Sequence, residues 1–495
     1  MFGVTTSLGR LLLLAIAVAL IVLGRLVYNR FFHPLRSYPG PWLASVSLLW
    51  YLYHAAKGDH HEALQQAHLK YGPVVRVAPD ELSFVEAQAW KDIYSQTKPE
   101  FAKEPSTVFS DDPAHPSILS APGEQHAKLR RILSHAFSDK ALYGQEAVIN
   151  SYVMSLVDRL RSQGSGSLDI VQWFNFVTFD IVGHLAFAES FDCLSESAYH
   201  PWVKMIFGTI KFWAWTRAIG RVAPGLVPLF MRFLMPKSVT REYKANMEYT
   251  AQKLERRRQK KLDYTDFAEH LLRAERDGVL DTKDVLSNLP LLVVAGSETA
   301  ATALAGTVYY MLTNPRVYER LVDEVRSRFR DHSEITLVRL SELKYLPAVL
   351  DETMRIYPPA PTSHPRVVPP DGGVVCGRFI PGRTVVGIPN WACFRSPYNF
   401  ARPEEYIPER FLGESDEFAG DKREALQPFM TGPRNCIGRN LANIEMRLIL
   451  AHLILEFDFE LSPESKGWEK QDVYIGLIKP ELMVKLHSVR KTQSS

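Results

Sequence analysis

The chain opens on its most apolar stretch. Leu11 to Gly24 carry no charge, and Arg25 interrupts the run before Leu26-Val27-Tyr28. A bilayer core of ~30 Å takes about 20 helical residues. A span must therefore draw on Val4 to Tyr28, with Arg10 and Arg25 snorkelling near its ends. No small-residue cleavage site follows, which predicts an uncleaved anchor rather than a signal peptide. Arg25, Arg30 and Arg36 lie on its C-terminal flank, and that positive charge predicts a cytosolic remainder. Pro34, Pro39 and Pro41 then follow between His33 and Trp42. No helix continues through them, so the segment reads as a stiff elbow, with a plain linker as the alternative.

Beyond residue 120 the apolar positions recur mostly at helical spacing. A long helix is predicted from about Asp281 to Leu312, with Pro315 as a stop and Pro290 predicting a kink or a late start. Another runs from about Pro347, a first-turn position, to Ile356, where Pro358-Pro359 ends it. A third runs from near Cys436 to about Leu455. Short strand patterns lie at Val74 to Val77, Leu82 to Val85, Val374 to Cys376 and Thr384 to Ile388. The stretch from Tyr357 to Asn435 is rich in Pro and Gly and reads as strands and ordered loop. The fold class expected is mainly α with a small β region. A single large domain over 46–495 would follow an anchor at 1–30 and an elbow at 31–45.

Composition narrows the class. The 495 residues are 46% hydrophobic and 23% charged, which is globular and neither disordered nor polytopic. A net charge of +3 makes no electrostatic case for nucleic acid. The one dense basic run, Arg256 to Lys261, reads as a solvated helix face. The four cysteines, Cys193, Cys376, Cys393 and Cys436, form no CxxC pair. That argues against a zinc cluster or a disulfide framework, and for a reduced, cytosol-facing chain.

The chemistry gathers around Cys436, in Phe429-Met-Thr-Gly-Pro-Arg-Asn-Cys-Ile-Gly438. Gly432 and Pro433 make a tight, stiff turn. An apolar helical run begins near Leu441, and a helix N-terminus favours a thiolate. Gly438 removes a side chain where a flat group could approach, and Arg434 supplies a cation. Such a thiolate serves as a nucleophile or as a metal ligand; no His base stands close in sequence. Glu352 and Arg355, at i and i+3, can pair on one helix face, although the same spacing recurs at Glu255 and Arg258. In Ala295-Gly-Ser-Glu298-Thr299 a mid-helix Gly costs roughly 1 kcal/mol against Ala. It calls for a reason, such as close approach of a ligand or a local opening where a hydroxyl bonds to a carbonyl. His126 and Arg130 share a helix face at i and i+4, which without context is a basic surface.

Together these pieces resemble the cytochrome P-450 family of haem-thiolate monooxygenases. The F-x-x-G-x-R-x-C-x-G pattern is complete at Phe429, Gly432, Arg434, Cys436 and Gly438. The ExxR, P-x-R-F (Pro408 to Phe411) and A-G-x-D/E-T patterns stand in the family's order; Ala300 departs from the Thr or Ser that many members carry. The resemblance implies that Cys436 is the axial thiolate of haem b iron with Phe429 beside the sulfur. It implies that Glu352, Arg355 and Arg410 lock the haem-side loop, and that Thr299 and Glu298 handle oxygen and protons. His126 and Arg130 would hold one haem propionate, with Arg366 and Arg434 serving the other, and Lys128 and Arg131 would face outward toward an acidic electron donor. Electrons would come from NADPH through a separate NADPH-cytochrome P-450 reductase, with cytochrome b5 as an optional second donor. The chain would sit in the endoplasmic reticulum membrane by one span.

Substrate contacts would come from the apolar stretch Phe207 to Pro236, for which ordinary core is the alternative, and from walls at Phe101 to Leu119, Leu291 to Val294, Ala360 to Ser363 and Tyr474 to Leu477. A lipophilic small molecule fits these, and the elbow resembles filamentous-fungal members of secondary metabolism acting on polyketides, polyketide–peptide hybrids or terpenoids. The alternatives are a haem-thiolate isomerase or peroxide-using enzyme, and a non-catalytic haem sensor. The intact Glu298 and Thr299 weigh against both.

Overall fold

Two long helices form the spine of the computed structural model, which describes residues 2–95, 100–107, 112–164, 166–235, 237–262 and 264–489. Ile170–Phe187 is buried on nearly every side, and Thr282–Thr313 lies along it. Both are apolar enough to cross a membrane by composition, but they are core. The first-turn donors of Thr282–Thr313 are met by a reciprocal capping box between Asp281 and Asp284. Its path explains Gly296 differently from the sequence. A Cβ there would come within 3.3 Å of the Val182 side chain, so the glycine serves close helix–helix packing rather than a ligand. Ser297 adds a bond across the same contact, to the Thr178 carbonyl at 3.2 Å. The helix begins at Thr282 and continues through Pro290, so the late start offered as one alternative does not occur; packing outweighs the one hydrogen bond that proline forfeits.

The remaining expectations hold with small shifts. Tyr345–Ile356 keeps Pro347 in its first turn, and the last long helix is Arg439–Glu456, three residues later than predicted because Gly438 is its N-cap. The predicted strands appear as Val74–Ala78, Glu81–Phe84, Gly373–Val375 and Val385–Gly387. Two short strands, Ala102–Lys103 and Arg366–Val367, join Val74–Ala78, Glu81–Phe84 and Val385–Gly387 in a five-stranded sheet in which Lys103 is the register partner of Arg366, while Gly373–Val375 pairs separately with Arg378–Ile380. A three-stranded sheet of Ser167–Asp169, Phe457–Leu461 and Met483–Ser488 was not legible from periodicity.

The elbow is part of the sheet's support rather than a free linker. Leu35 is fully buried, the Pro39 carbonyl accepts the Arg76 N–H at 2.8 Å, and the Arg76 guanidinium donates to the Asn29 carbonyl at 3.0 Å. Before it, Leu12–Phe32 is the one apolar helical stretch among the described residues that stays exposed along its length. That suits a membrane anchor.

One sequence reading changes: the basic run is not one solvated face, since Arg257 is buried against Asp266 at 2.6 Å. For the stretch from Phe207 the alternative of ordinary core falls. It forms part of Pro201–Val222 and all of Val227–Leu234, and Trp215, Val222, Leu226, Leu229 and Phe233 are exposed, which leaves an apolar outer face; Pro236 lies outside the described residues.

Candidate functional site

The loop before Arg439–Glu456 is closed by a bond from the Cys436 N–H to the Phe429 carbonyl, 2.8 Å. Gly432 makes the turn at φ +77°, and a Cβ there would lie 2.1 Å from the Tyr94 carbonyl oxygen, so no other residue fits. A methyl at Gly438 would stand 4.0 Å from the Cys436 sulfur. Cys436 is the exposed one of the four cysteines. By area its side chain is open, yet protein surrounds it closely enough that burial pushes its thiol above the ordinary value. The Gly438 N–H, Arg130 and Arg439 oppose that shift without cancelling it. The helix-end N–H and the arginines thus favour the thiolate, as expected of a helix terminus, but burial outweighs them in the protein alone. A protein-only nucleophile is poorly served, whereas a metal deprotonates a coordinating thiol outright.

Cations converge beside this loop. His126 is buried and held at about 4 by burial and by Arg434, Lys103 and Arg130. Arg130 donates to the Asn435 carbonyl at 2.7 Å and to the Asn435 side chain, tying its helix, Gly123–Ser134, to the residue before Cys436. Arg434 pairs with Glu100 and donates to the Ala121 carbonyl at 2.9 Å. Arg366 is buried, stacks over Tyr94 at 5.6 Å, and its Nη1 has no hydrogen-bond partner among the described residues. Lys103, which no motif marks, joins them through the strand pairing with Arg366 and is pushed down to about 7 by burial and by Arg366 and Arg434. Among the described residues Arg434, Arg366 and Lys103 share the acid Glu100, with Arg130 and the uncharged His126 ring beside them. That imbalance, with an orphaned buried guanidinium nitrogen, fits a group bearing carboxylates, as a haem does. Lys128 is exposed as expected, though it reaches the Val279 carbonyl at 2.5 Å, and Arg131 is exposed beside it. Arg366→Met is expected to weaken haem retention by about tenfold to a hundredfold. Haem transfer to an apo-globin acceptor measures it, and unchanged transfer would remove Arg366 from the site.

On the long helix, Ala295 and Thr299 are exposed one turn apart, although Leu292, Val293, Ser297 and Ala300 around them are buried. The Thr299 hydroxyl donates to the Ala295 carbonyl at 2.7 Å, the hydroxyl-to-carbonyl contact expected of this segment. Glu298 lies on the neighbouring half-buried face and pairs with Lys479, a residue the sequence did not single out. Of the expected walls, Leu292, Val293 and Phe101 are core instead, while Leu119 and Ile475 are exposed. Residues 108–111 of the first wall lie outside the described residues.

The buried charge network behind the Cys loop is complete. Arg355 donates to Glu352 at 2.7 and 2.9 Å, and Arg410 donates to the same carboxylate at 3.2 Å. Arg355 also holds the Phe394, Pro403 and Glu405 carbonyls. The other copy, Glu255–Arg258, is a long surface pair at 3.4 Å.

Comparison with known proteins agrees with this geometry. Residues 37–486 match the family model described as Cytochrome P450. The chain is 44% identical over 466 residues to cytochrome P450 monooxygenase astA of Talaromyces wortmannii, covering 93% of each. It is 40% identical over 470 residues to a trichothecene C-15 hydroxylase of Fusarium sporotrichioides, covering 93% of this chain and 94% of that one. It is 40% identical over 477 residues to an averantin hydroxylase of Dothistroma septosporum, covering 95% and 90%. The chain belongs to the cytochrome P450 family. Its activity is that of a haem-thiolate monooxygenase, fed with electrons by a redox partner and acting on a lipophilic substrate.

Proposed function

We propose that Cys436 supplies the thiolate, and that Glu298 and Thr299 carry protons to the reacting centre of a monooxygenase in fungal secondary-metabolite biosynthesis. The observation that carries this reading is the exposed Cys436 beside a cation cluster holding an orphaned buried arginine nitrogen. Haem bound there would supply the chemistry of dioxygen activation, and Cys436 would be the residue that holds its iron. The residues of this chain do the rest. Arg366, Arg434, Lys103 and His126 hold the carboxylates. Arg130 fixes the Cys loop through Asn435, and Phe429 and Gly438 shape the space at the sulfur. Thr299, exposed and already bonded to a helix carbonyl, receives protons by way of Glu298.

The same reading assigns 1–30 to a single-pass anchor in the endoplasmic reticulum membrane, 31–45 to the elbow and 46–495 to a cytosolic catalytic domain. The electron donors are NADPH-cytochrome P-450 reductase and, as a second source, cytochrome b5; exposed Arg131 supports an acidic donor surface at that face. The exposed apolar face around Trp215 and Phe233 supports entry of a lipophilic polyketide, polyketide–peptide hybrid or terpenoid from the bilayer side. The names of the two hydroxylases among the relatives support a hydroxylation.

The test is product analysis of the chain co-expressed with a reductase and fed a panel of such compounds, with and without NADPH. A reductase-dependent gain of oxygen is expected. Thr299→Ala is expected to lower product per NADPH by about tenfold while haem binding persists. An NADPH-independent isomer, or unchanged coupling in the variant, would overturn the reading.

A further inference from the structure

Glu298 is held in an asymmetric way. Its Oε1 accepts from the Lys479 ammonium and from the Thr302 hydroxyl at 3.3 Å, and Lys479 also reaches Thr302 Oγ1 at 2.6 Å. Its Oε2 is buried and has no hydrogen-bond partner among the described residues. The lysine side chain is only 4% exposed and Glu298 is 21% exposed, so this is not a surface pair that solvent would screen.

Lys479 is presented rigidly. It follows the Val473–Leu477 bridge. The Ile478 N–H donates to the Asp472 carbonyl at 2.9 Å, and the Pro480 carbonyl accepts from the Trp468 indole at 3.0 Å. The loop is thus tied on both sides of the lysine. One carboxylate oxygen of Glu298 is pinned and the other is left without a partner among the described residues.

We propose that Lys479 is a positioning residue for Glu298: the fixed counter-ion that holds and orients this carboxylate through Oε1, with Oε2 left to carry the proton. The proposal rests on the reading of Glu298 as the proton carrier. Adjacent helix residues do not face one another, so the path runs through water. Oε2 takes a proton from the water on one side and yields it toward Thr299 Oγ, which passes its own hydrogen to the reacting centre. Glu298 ends each cycle as it began, and Lys479 keeps its proton throughout.

The test uses full-length holoenzymes of the wild type, K479M, K479R, E298Q and E298Q/K479M. Infrared difference spectra read the carboxyl directly. K479M is expected to shift the Glu298 carboxylate band, the band that E298Q lacks. With a panel compound that the wild type oxidises, K479M is expected to lose about tenfold in product per NADPH at unchanged KM, and K479R to recover most of it. A K479M enzyme with the wild-type band, or with wild-type coupling, overturns the proposal. If E298Q alone leaves coupling unchanged, the relay reading falls instead, and the band still decides whether Lys479 holds Glu298. Should K479M fail to bind haem, K479Q carries the same comparison, and the charge-free pair E298Q/K479M controls for folding.

Discussion

Cys436→Ser is expected to abolish the thiolate signature of the reduced carbon monoxide complex and to reduce reductase-driven oxidation to background. The reason is the distinct setting of the four cysteines. Cys193 and Cys393 are fully enclosed and Cys376 is half-buried; burial pushes each of their thiols up to about 12. None of the three is an accessible donor. Cys436 alone is exposed, in a loop closed by Phe429 and turned by Gly432, with Arg130 reaching the residue before it. A serine hydroxyl keeps the shape of the loop and loses the soft, readily ionised donor. The variant is therefore expected to fold, with near-ultraviolet circular dichroism close to the wild type. Absorption spectra of the reduced protein under carbon monoxide decide the point. A surviving thiolate signature would mean that another cysteine is the ligand.

Arg355→Met is expected to leave little soluble, haem-loaded protein. Glu352, Arg355 and Arg410 are all fully or almost fully buried. Removing the Arg355 guanidinium strips two bonds from the Glu352 carboxylate and leaves the Phe394, Pro403 and Glu405 carbonyls without their donor. Breaking a buried charged network in this way costs about 3–5 kcal/mol, a large part of the roughly 5–15 kcal/mol that holds a typical domain folded. Glu255→Gln, at the exposed acid of the surface copy of the same spacing, is the matched control and is expected to leave melting temperature and haem content unchanged. Thermal unfolding and the haem-to-protein absorbance ratio report both. Equal behaviour of the two variants would mean that the network around Glu352 does not hold the loop.

Read from the residues alone, the strong signals were those with short range. The proline stops bounded helices, Gly432 required a turn, and the Glu352–Arg355 spacing placed two charges on one helix face. The ordered set of such pieces, rather than any single one, carried the resemblance to the family. Where the sequence reading failed, a contact between distant segments was the cause. Gly296 looked like a place for a ligand until Val182 of the neighbouring helix was found against it. Leu292 and Val293 looked like pocket wall, but the rotation of the helix turns them into the core and leaves Ala295 and Thr299 exposed. The helix-terminus argument for a Cys436 thiolate was outweighed by burial.

What the sequence determined by itself was the mainly helical class, the apolar N-terminal stretch, and the residues that bear the chemistry, because local periodicity, turns and motif spacing act within a few residues. Only the tertiary structure decided who meets whom. Lys103 joins Arg366 through strand pairing across more than two hundred and fifty positions of the chain, and Lys479 reaches Glu298 from a loop 181 residues away. No local pattern encodes such meetings. A lone lysine in a loop looks like any solvated lysine until burial and the geometry of the folded chain give it its partners.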